Sequence, residues 1–435
     1  MESLVDLLRF PAASIELTGT MVSVGLFVLF LGLLYWYSVS PFSELERIGI
    51  KHPKPSPFVG NMFLFQKGFF EGHQELVQKY GRVCGYYFGR RPTILIAEPE
   101  MLKQILVKDF SNFVNRMKVS FSSKPMGDSL LFLQDGDWKN VRNVLTPTFS
   151  SAKMREMCPL INQAADMLME NLETHADSGK GFDIHRYYGC FSMDVIASVA
   201  FGTQVDSQKN PEDPFVKHAK MIFKINFFKP LIFLSIIFPS IMMPIRHLMP
   251  LTSMSKVNAF FVRVIKDIIA QRNQQPSDQT TPDYNNVQNL PYLDMVISEV
   301  LRLYPPGVRF GRVCEKDCLV NGQLIPAGMT LEVPVGVLHY DPKYWPEPEK
   351  FKPERFTPEM KAERHPYVYL PFGAGPRSCI GMRLALLEAK IALVRILSKY
   401  SFQTCPETQI PVQITSAGTL GPKEGVILKI VPRKS

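Results

Sequence analysis

The residues most clearly arranged for chemistry lie near the C-terminus, in Pro371-Phe372-Gly373-Ala374-Gly375-Pro376-Arg377-Ser378-Cys379-Ile380-Gly381. The glycines allow a tight backbone turn, and a run with helical spacing follows at once. Cys379 therefore falls at a helix N-terminus. The positive end of a helix favours a thiolate, the form of cysteine that binds metal. Gly373-x-Gly375 could also open a dinucleotide loop, but Ser378 stands where the third glycine belongs, and no convincing strand precedes it. The segment is read as a platform for one thiolate ligand.

A second constellation lies upstream. Glu299-Val300-Leu301-Arg302 puts an acid and a base three residues apart, on one face of a helix, where they can pair. Alone this spacing occurs roughly once by chance in a chain of such length. Here Tyr304-Pro305-Pro306 follows it, and Pro353-Glu354-Arg355-Phe356 supplies a second arginine that could join the pair. The trio is read as structural, bracing the ground on which the cysteine loop rests.

Phe372, Gly375, Arg377, Cys379 and Gly381 match in full the signature Phe-x-x-Gly-x-Arg-x-Cys-x-Gly. In this the sequence resembles the cytochrome P-450 family of haem-thiolate enzymes. Five fixed positions coincide by chance in roughly one chain in ten thousand. The Glu-x-x-Arg motif and the Pro-Glu-Arg-Phe segment occur in the family's order, and the likeness runs from the N-terminal apolar segment nearly to the C-terminus. It implies a mainly α fold with small β-sheets and a haem b whose iron takes its axial thiolate from Cys379. It implies that Phe372 lies in the haem loop, and that Arg116, Trp138, Arg142, Arg312 and Arg377 hold the propionates. Trp138 would donate a hydrogen bond where the arginines give charge. Within the family, His52 to Asn61, Cys84 to Arg91, Asp213 to His218 and Cys405 to Thr408 are similar to an enzyme that isomerises prostaglandin H2. The alternative within the family is a monooxygenase of lipophilic substrates that draws electrons from cytochrome P-450 reductase. A catalytically inactive, shortened variant is a further reading.

That last reading arises because the resemblance breaks in one place. Ser255 to Gln274 is a helical run, and the Glu-x-x-Arg helix begins near Pro291. Between them Gln275 to Leu290 is polar and holds Pro276 and Pro282, so it reads as a loop. The family has about a hundred residues here, including a central distal helix of roughly 30 residues. The fold is accordingly expected to be incomplete, lacking the helix that walls the pocket and shields the iron from water.

The elements that must position these residues begin with an uncharged run from Leu17 to Ser43, long enough to cross a bilayer, with Tyr35, Trp36 and Tyr37 at an interface. Arg47, Lys51 and Lys54 follow it, which places the body in the cytosol, and the resemblance implies an endoplasmic reticulum membrane. No basic n-region precedes the run and no clean cleavage site follows, so it is read as a retained anchor rather than a signal peptide. The expected organisation is a tail over 1–16, an anchor over 17–43, a proline-rich connector over 44–61, and a catalytic domain over 62–435 with a deletion around 275–290. The alternating prolines of the connector cannot be helical. Tyr86 to Phe88 and Thr93 to Ala97 read as a hairpin. Apolar stripes from Met157 to Leu172 and from Leu384 to Val394 read as core faces of helices. Leu231 to Ile245 is apolar but short and broken by Pro239 and Pro244; it either packs in the core or lies in the membrane surface.

With 46% hydrophobic residues the chain can build a sizeable core. Its net charge of +9 is scattered, with no basic run interleaved with aromatics. Nucleic acid is excluded as a partner on that ground, and an anionic membrane surface or an acidic partner protein fits better, while the resemblance implies a lipophilic small-molecule substrate. An odd number of widely spaced cysteines is no disulfide framework and suggests a reducing compartment. Cys314 and Cys318 could approach each other, yet no second Cys or His pair completes a zinc set.

Overall fold

The computed structural model describes residues 12–117, 126–202, 290–415 and 419–433, with short pieces between 207 and 284. The run from Ser255 to Gln274 lies outside the described residues, as does 275–290 apart from Tyr284 and Leu290.

Helix α1 (Ala12–Val39) carries the apolar run. It starts upstream of Leu17 and ends where Pro41 approaches, since a proline disfavours helical backbone in the residue before it. The 3-10 turn Ser40–Ser43 follows, then α2 (Glu44–Arg47). Among the described residues this is the one helix long and apolar enough to cross a membrane. Its apolar side chains are largely exposed, as a lipid-facing surface requires. The prolines of 52–57 run without helix, and Asn61 pins them to the body. Its Nδ2 donates to the Lys54 carbonyl at 3.1 Å, while its Oδ1 accepts from the Tyr87 amide at 2.9 Å.

Helix α3 (Phe69–Tyr80) leads into β1 (Val83–Phe88) and β2 (Arg91–Ile96), an antiparallel hairpin turned at Gly89 and Arg90. Short helix α4 (Pro99–Lys103) and helices α5 (Asp135–Leu145) and α6 (Ser151–Ser178) follow. Strand β3 (Phe182–Asp183) precedes α7 (Ile184–Ile196), and α8 (Pro230–Ile237) falls in the second apolar segment. The end of α8 meets the end of the anchor, with Tyr37 and Phe238 stacked at 6.1 Å between centroids.

The C-terminal part opens with α9 (Pro291–Leu303) and continues through β4 (Phe310–Val313), β5 (Cys318–Val320), β6 (Gln323–Ile325) and β7 (Thr330–Val333). Helices α10 (Val335–His339), α11 (Pro358–Glu363) and α12 (Met382–Lys399) come next, then β8 (Tyr400–Gln403), β9 (Ile414–Thr415), β10 (Gly421–Pro422) and β11 (Ile427–Pro432). The main sheet has the order β1-β2-β7-β4; β2 and β7 are parallel and the other pairs antiparallel. It joins chain ends more than two hundred residues apart and carries one core on the face with Ile94, Ile96, Leu331 and Val333.

A second core lies where α6 and α12 pack together. Ile161, Ala164, Leu168 and Leu172 of α6 are buried there against Leu387 and Ile391 of α12. Val394, on the expected stripe, is exposed. Burying each such leucine or isoleucine stabilises the fold by about 1.5–3 kcal/mol, so this pairing fixes where α12 begins. The cysteine loop is attached to that beginning.

Candidate functional site at the cysteine loop

The loop's shape follows from two glycines. Gly373 and Gly375 both have φ of +71°, a backbone region that glycine enters without strain. Gly375 is constrained twice: a Cβ there would lie 1.9 Å from the Leu106 carbonyl oxygen. The Cys379 amide closes the loop by donating to the Phe372 carbonyl at 2.8 Å. That backbone bond is the contribution of Phe372, whose ring is half-buried. Helix α12 starts at Met382 with Gly381 as its cap, so Cys379 stands three residues ahead of the first helical residue rather than within its first turn. Ile380 and Gly381, which intervene, lie in a turn, and Cys379 is exposed.

Five side chains from four separate segments converge beside it. Arg377 lies over the Trp138 ring at 4.3 Å, and its Nη2 donates to the Leu133 carbonyl at 2.6 Å. Trp138, buried, stands one turn before Arg142 on α5. The Nη2 of Arg116 donates to the Arg377 carbonyl at 3.5 Å. Arg312, fully buried on β4, gives one bond to its neighbour's carbonyl, at Gly311. The segment bearing Arg116 is tied to the start of α5 by Gln134, whose Nε2 donates to the Arg116 carbonyl at 3.1 Å, and by Asn115, which pairs with Asp135.

The electrostatics of this group are unusual. Burial, with Arg116 and Arg377 nearby, pushes the Arg312 guanidinium down to about 9. Burial and Arg116 bring Arg377 to about 10, with Asp135 acting in the opposite sense. Arg116 is lowered by burial, and the field of Cys379 opposes that. The Nε atoms of Arg116, Arg312 and Arg377 are buried donors without a hydrogen-bond partner. Crowded guanidiniums with orphaned donors are costly unless an anion joins them. A flat dianionic group beside a lone thiolate ligand fits this set, and haem, with its two propionates and iron, is such a group.

The bracing trio is also assembled. Glu299 and Arg302 are fully buried and joined by two bonds of 2.8 Å, from Nε and Nη2 to the two carboxylate oxygens. Arg355 approaches the same carboxylate at 3.4 Å, and the Lys352 amide donates to it at 2.9 Å. Arg302 also caps the His339 and Pro348 carbonyls. The network thus ties α9 to the chain just before the cysteine loop.

Fold and site together define a haem-thiolate protein: mainly helical, with a thiolate loop before a core helix and an arginine cage beside it. A sequence model of the cytochrome P-450 family matches residues 50–281 and 265–430, and the chain belongs to that family. It is 42% identical to the Thromboxane-A synthase of Sus scrofa and equally to that of Macaca fascicularis, over 96% of this chain and 98% of each relative. It is 36% identical to Cytochrome P-450 3A29 of Sus scrofa, over 92% of this chain and 95% of that protein. The alignments with the two synthases span 525 positions, 90 more than the 435 residues of this chain, so gaps must open within it. The chain is therefore a haem-thiolate enzyme by family, with an N-terminal helix suited to a single-pass anchor.

Sequence reasoning did not reach the parts that hold the cage in place. The carbonyls of Leu106, Leu130 and Leu133 shape the loop and hold Arg377. Backbone acceptors carry no residue signature, so no motif could have named them. Asn115 and Gln134 are different, since Asn115 is the immediate neighbour of Arg116 and could have been read with it.

Proposed function

We propose that Cys379 Sγ would hold the iron of a bound haem, and that the chemistry of the site is that of a thromboxane-A synthase. The observation that carries the ligand assignment is the arginine cage: Arg116, Arg142, Arg312 and Arg377 gather around one thiol, three of them with orphaned donors. The four guanidiniums bind and orient the propionates, Trp138 fixes Arg377 by lying beneath it, and Phe372 closes the loop that aims the sulfur. When bound, a thiolate-held haem favours O–O cleavage, the bond change needed to turn prostaglandin H2 into thromboxane A2. The substrate assignment rests on the likeness to thromboxane-A synthases, at 42% against 36% for the 3A relative.

In this reading the anchor seats the protein on the endoplasmic reticulum membrane. Arg47, Lys51 and Lys54 lie on the cytosolic side, and a lipophilic substrate arrives from the lipid. The fold is read as lacking its central distal helix around 275–290. The two-piece family match, meeting at 265–281, and the excess of aligned positions support this. The same observations favour a second reading, in which this chain keeps the family's proximal site and has lost turnover. The reductase-dependent monooxygenase reading is supported by the 3A relative.

One set of assays separates the three. Membranes bearing the chain are reduced and exposed to carbon monoxide; a red-shifted Soret band typical of thiolate-held haem is expected, and Cys379→Ser should abolish it. Absence of the band, with the protein present, sinks the ligand assignment. Prostaglandin H2 is then supplied without reductase or reduced nicotinamide. Formation of thromboxane and a heptadecatrienoic acid supports synthase chemistry, a requirement for reductase supports the monooxygenase, and a normal band without turnover supports the inactive variant.

A further inference from the structure

On the far side of β4 from the haem loop's start, two thiols meet. Cys314 follows the last residue of β4 and is buried; Cys318 opens β5 and is half-buried. Their sulfurs are 3.7 Å apart. A disulfide needs about 2.05 Å, so closing the gap takes small rotations of two side chains on a four-residue turn.

That turn is already held from several sides. The Cys314 amide donates to the Met329 carbonyl at 2.9 Å, and the Lys316 amide donates to Asn112 Oδ1 at 2.8 Å. Asp317 accepts from the Ala327 amide at 2.7 Å, and Cys318 is paired with Ile325 across the β5–β6 ladder. The backbone need not search for the geometry. Oxidation would remove the Cys314 thiol's bond to the Lys316 carbonyl, 3.0 Å away, but that carbonyl keeps the Asn112 amide at 2.9 Å. The thiol's longer contact with the buried Ile325 carbonyl, at 3.7 Å, would be given up as well.

We propose that Cys314 and Cys318 form a reversible dithiol–disulfide couple oxidised by hydroperoxides. The more accessible Cys318 attacks the terminal oxygen as its thiolate. The O–O bond breaks, Cys318 becomes a sulfenic acid, and the hydroperoxide leaves as an alcohol. Cys314 then attacks the Cys318 sulfur, forming the S–S bond and releasing water. Two thiols lose two electrons and two protons, and one hydroperoxide becomes one alcohol and one water. The roles follow from exposure: half-buried Cys318 meets the peroxide first, and buried Cys314, within reach of its sulfur, is left to resolve the sulfenic acid once it loses its proton. In a reducing compartment such a pair is expected to be transient rather than structural.

The location gives the couple something to act on. Cys314 is two residues from Arg312, and the intervening Val313 amide donates to the Asn115 carbonyl, beside Arg116, at 2.8 Å. Oxidation would stiffen the strand end that carries one cage arginine and supports another.

The test uses the full chain in membranes, treated with hydrogen peroxide or an alkyl hydroperoxide, then alkylated, digested and weighed. The expected product is a peptide holding Cys314 and Cys318 that is unalkylated, lighter by two hydrogens, and restored by dithiothreitol. In Cys314→Ser, a sulfenic acid at Cys318 should become trappable by a dimedone-type reagent, at least ten-fold above the wild type. In Cys318→Ser, Cys314 should take neither label nor disulfide. Free alkylation of both cysteines after oxidant has modified other cysteines of the same chain would overturn the proposal. So would equal trapping of the sulfenic acid in wild type and Cys314→Ser. Because the wild-type map alone can overturn it, a variant that fails to fold does not shield the proposal.

Discussion

Gly373 and Gly375 show how much of the site depends on single backbone positions. Both have left-handed φ, which costs a residue with a Cβ about 1–2 kcal/mol. At Gly373 a Cβ would meet nothing nearer than 3.9 Å, so Gly373→Ala is expected to cost about 1 kcal/mol and to leave the loop intact. At Gly375 the Leu106 carbonyl blocks the space, and Gly375→Ala should cost about 3 kcal/mol and displace Cys379. Comparing the carbon monoxide band of the two variants checks this; equal loss in both would show that φ alone matters. A second residue-scale prediction concerns Glu388 on α12. Its carboxyl, which bonds Ser192, is pushed up to about 7 by burial, with the Ser192 bond opposing. A carboxyl raised above its unfolded value stays protonated in the fold while the unfolded chain ionises. Its stabilisation is present below the unfolded value near 4.5 and is lost as pH rises through about 7. Glu388→Gln should therefore match the wild type at acid pH and exceed it by about 2–3 kcal/mol at pH 8. Thermal unfolding of solubilised protein across that range measures it; a constant offset at all pH values would count against the mechanism.

At the scale of elements, the Glu299 network decides whether α9 and the cysteine loop stay in register. Removing one partner of a buried, hydrogen-bonded charge set costs about 3–5 kcal/mol, because the remaining charge is left in a dry site. Glu299→Ala strands Arg302 and Arg355 together and should show the full loss as a lower denaturant midpoint. Glu299→Gln keeps the shape and one acceptor oxygen, though it loses the charge and sets an NH2 against a guanidinium donor, and should lie between. These elements also show what a sequence can convey. The acid–base spacing on α9 and the glycine turn before α12 are local patterns, so their helices and loop were legible without a structure. The cage arginines are scattered from Arg116 to Arg377, and only likeness to a family suggested that they meet. The carbonyls that hold them were invisible, since any residue supplies one. Helix α1 begins at Ala12, ahead of the uncharged run, because nothing between Ala12 and Leu17 breaks a helix.

At the scale of the whole molecule, the cysteine-loop side of the site is assembled among the described residues. The cysteine loop, the cage and the Glu299 network are assembled from α5, β4, α9 and the segments that carry Arg116, Arg355 and Arg377, none of which lies around 275–290. On the proposed reading of a fold without its distal helix, haem capture should survive in part, while water would reach the iron and substrate would lack a wall. The alignment of this chain with the Sus scrofa synthase spans 90 more positions than the chain has residues, so this chain carries the gaps. Inserting the corresponding segment of the Sus scrofa Thromboxane-A synthase between Gln274 and Pro291 should raise haem occupancy several-fold and confer or increase endoperoxide turnover. Haem content per chain and product formation from prostaglandin H2, measured side by side on the two proteins, check it. If occupancy rises and turnover does not, the determinants of substrate chemistry lie elsewhere in the body. If neither changes, the proximal half was never limited by a missing wall, and the reading of an incomplete fold fails with it.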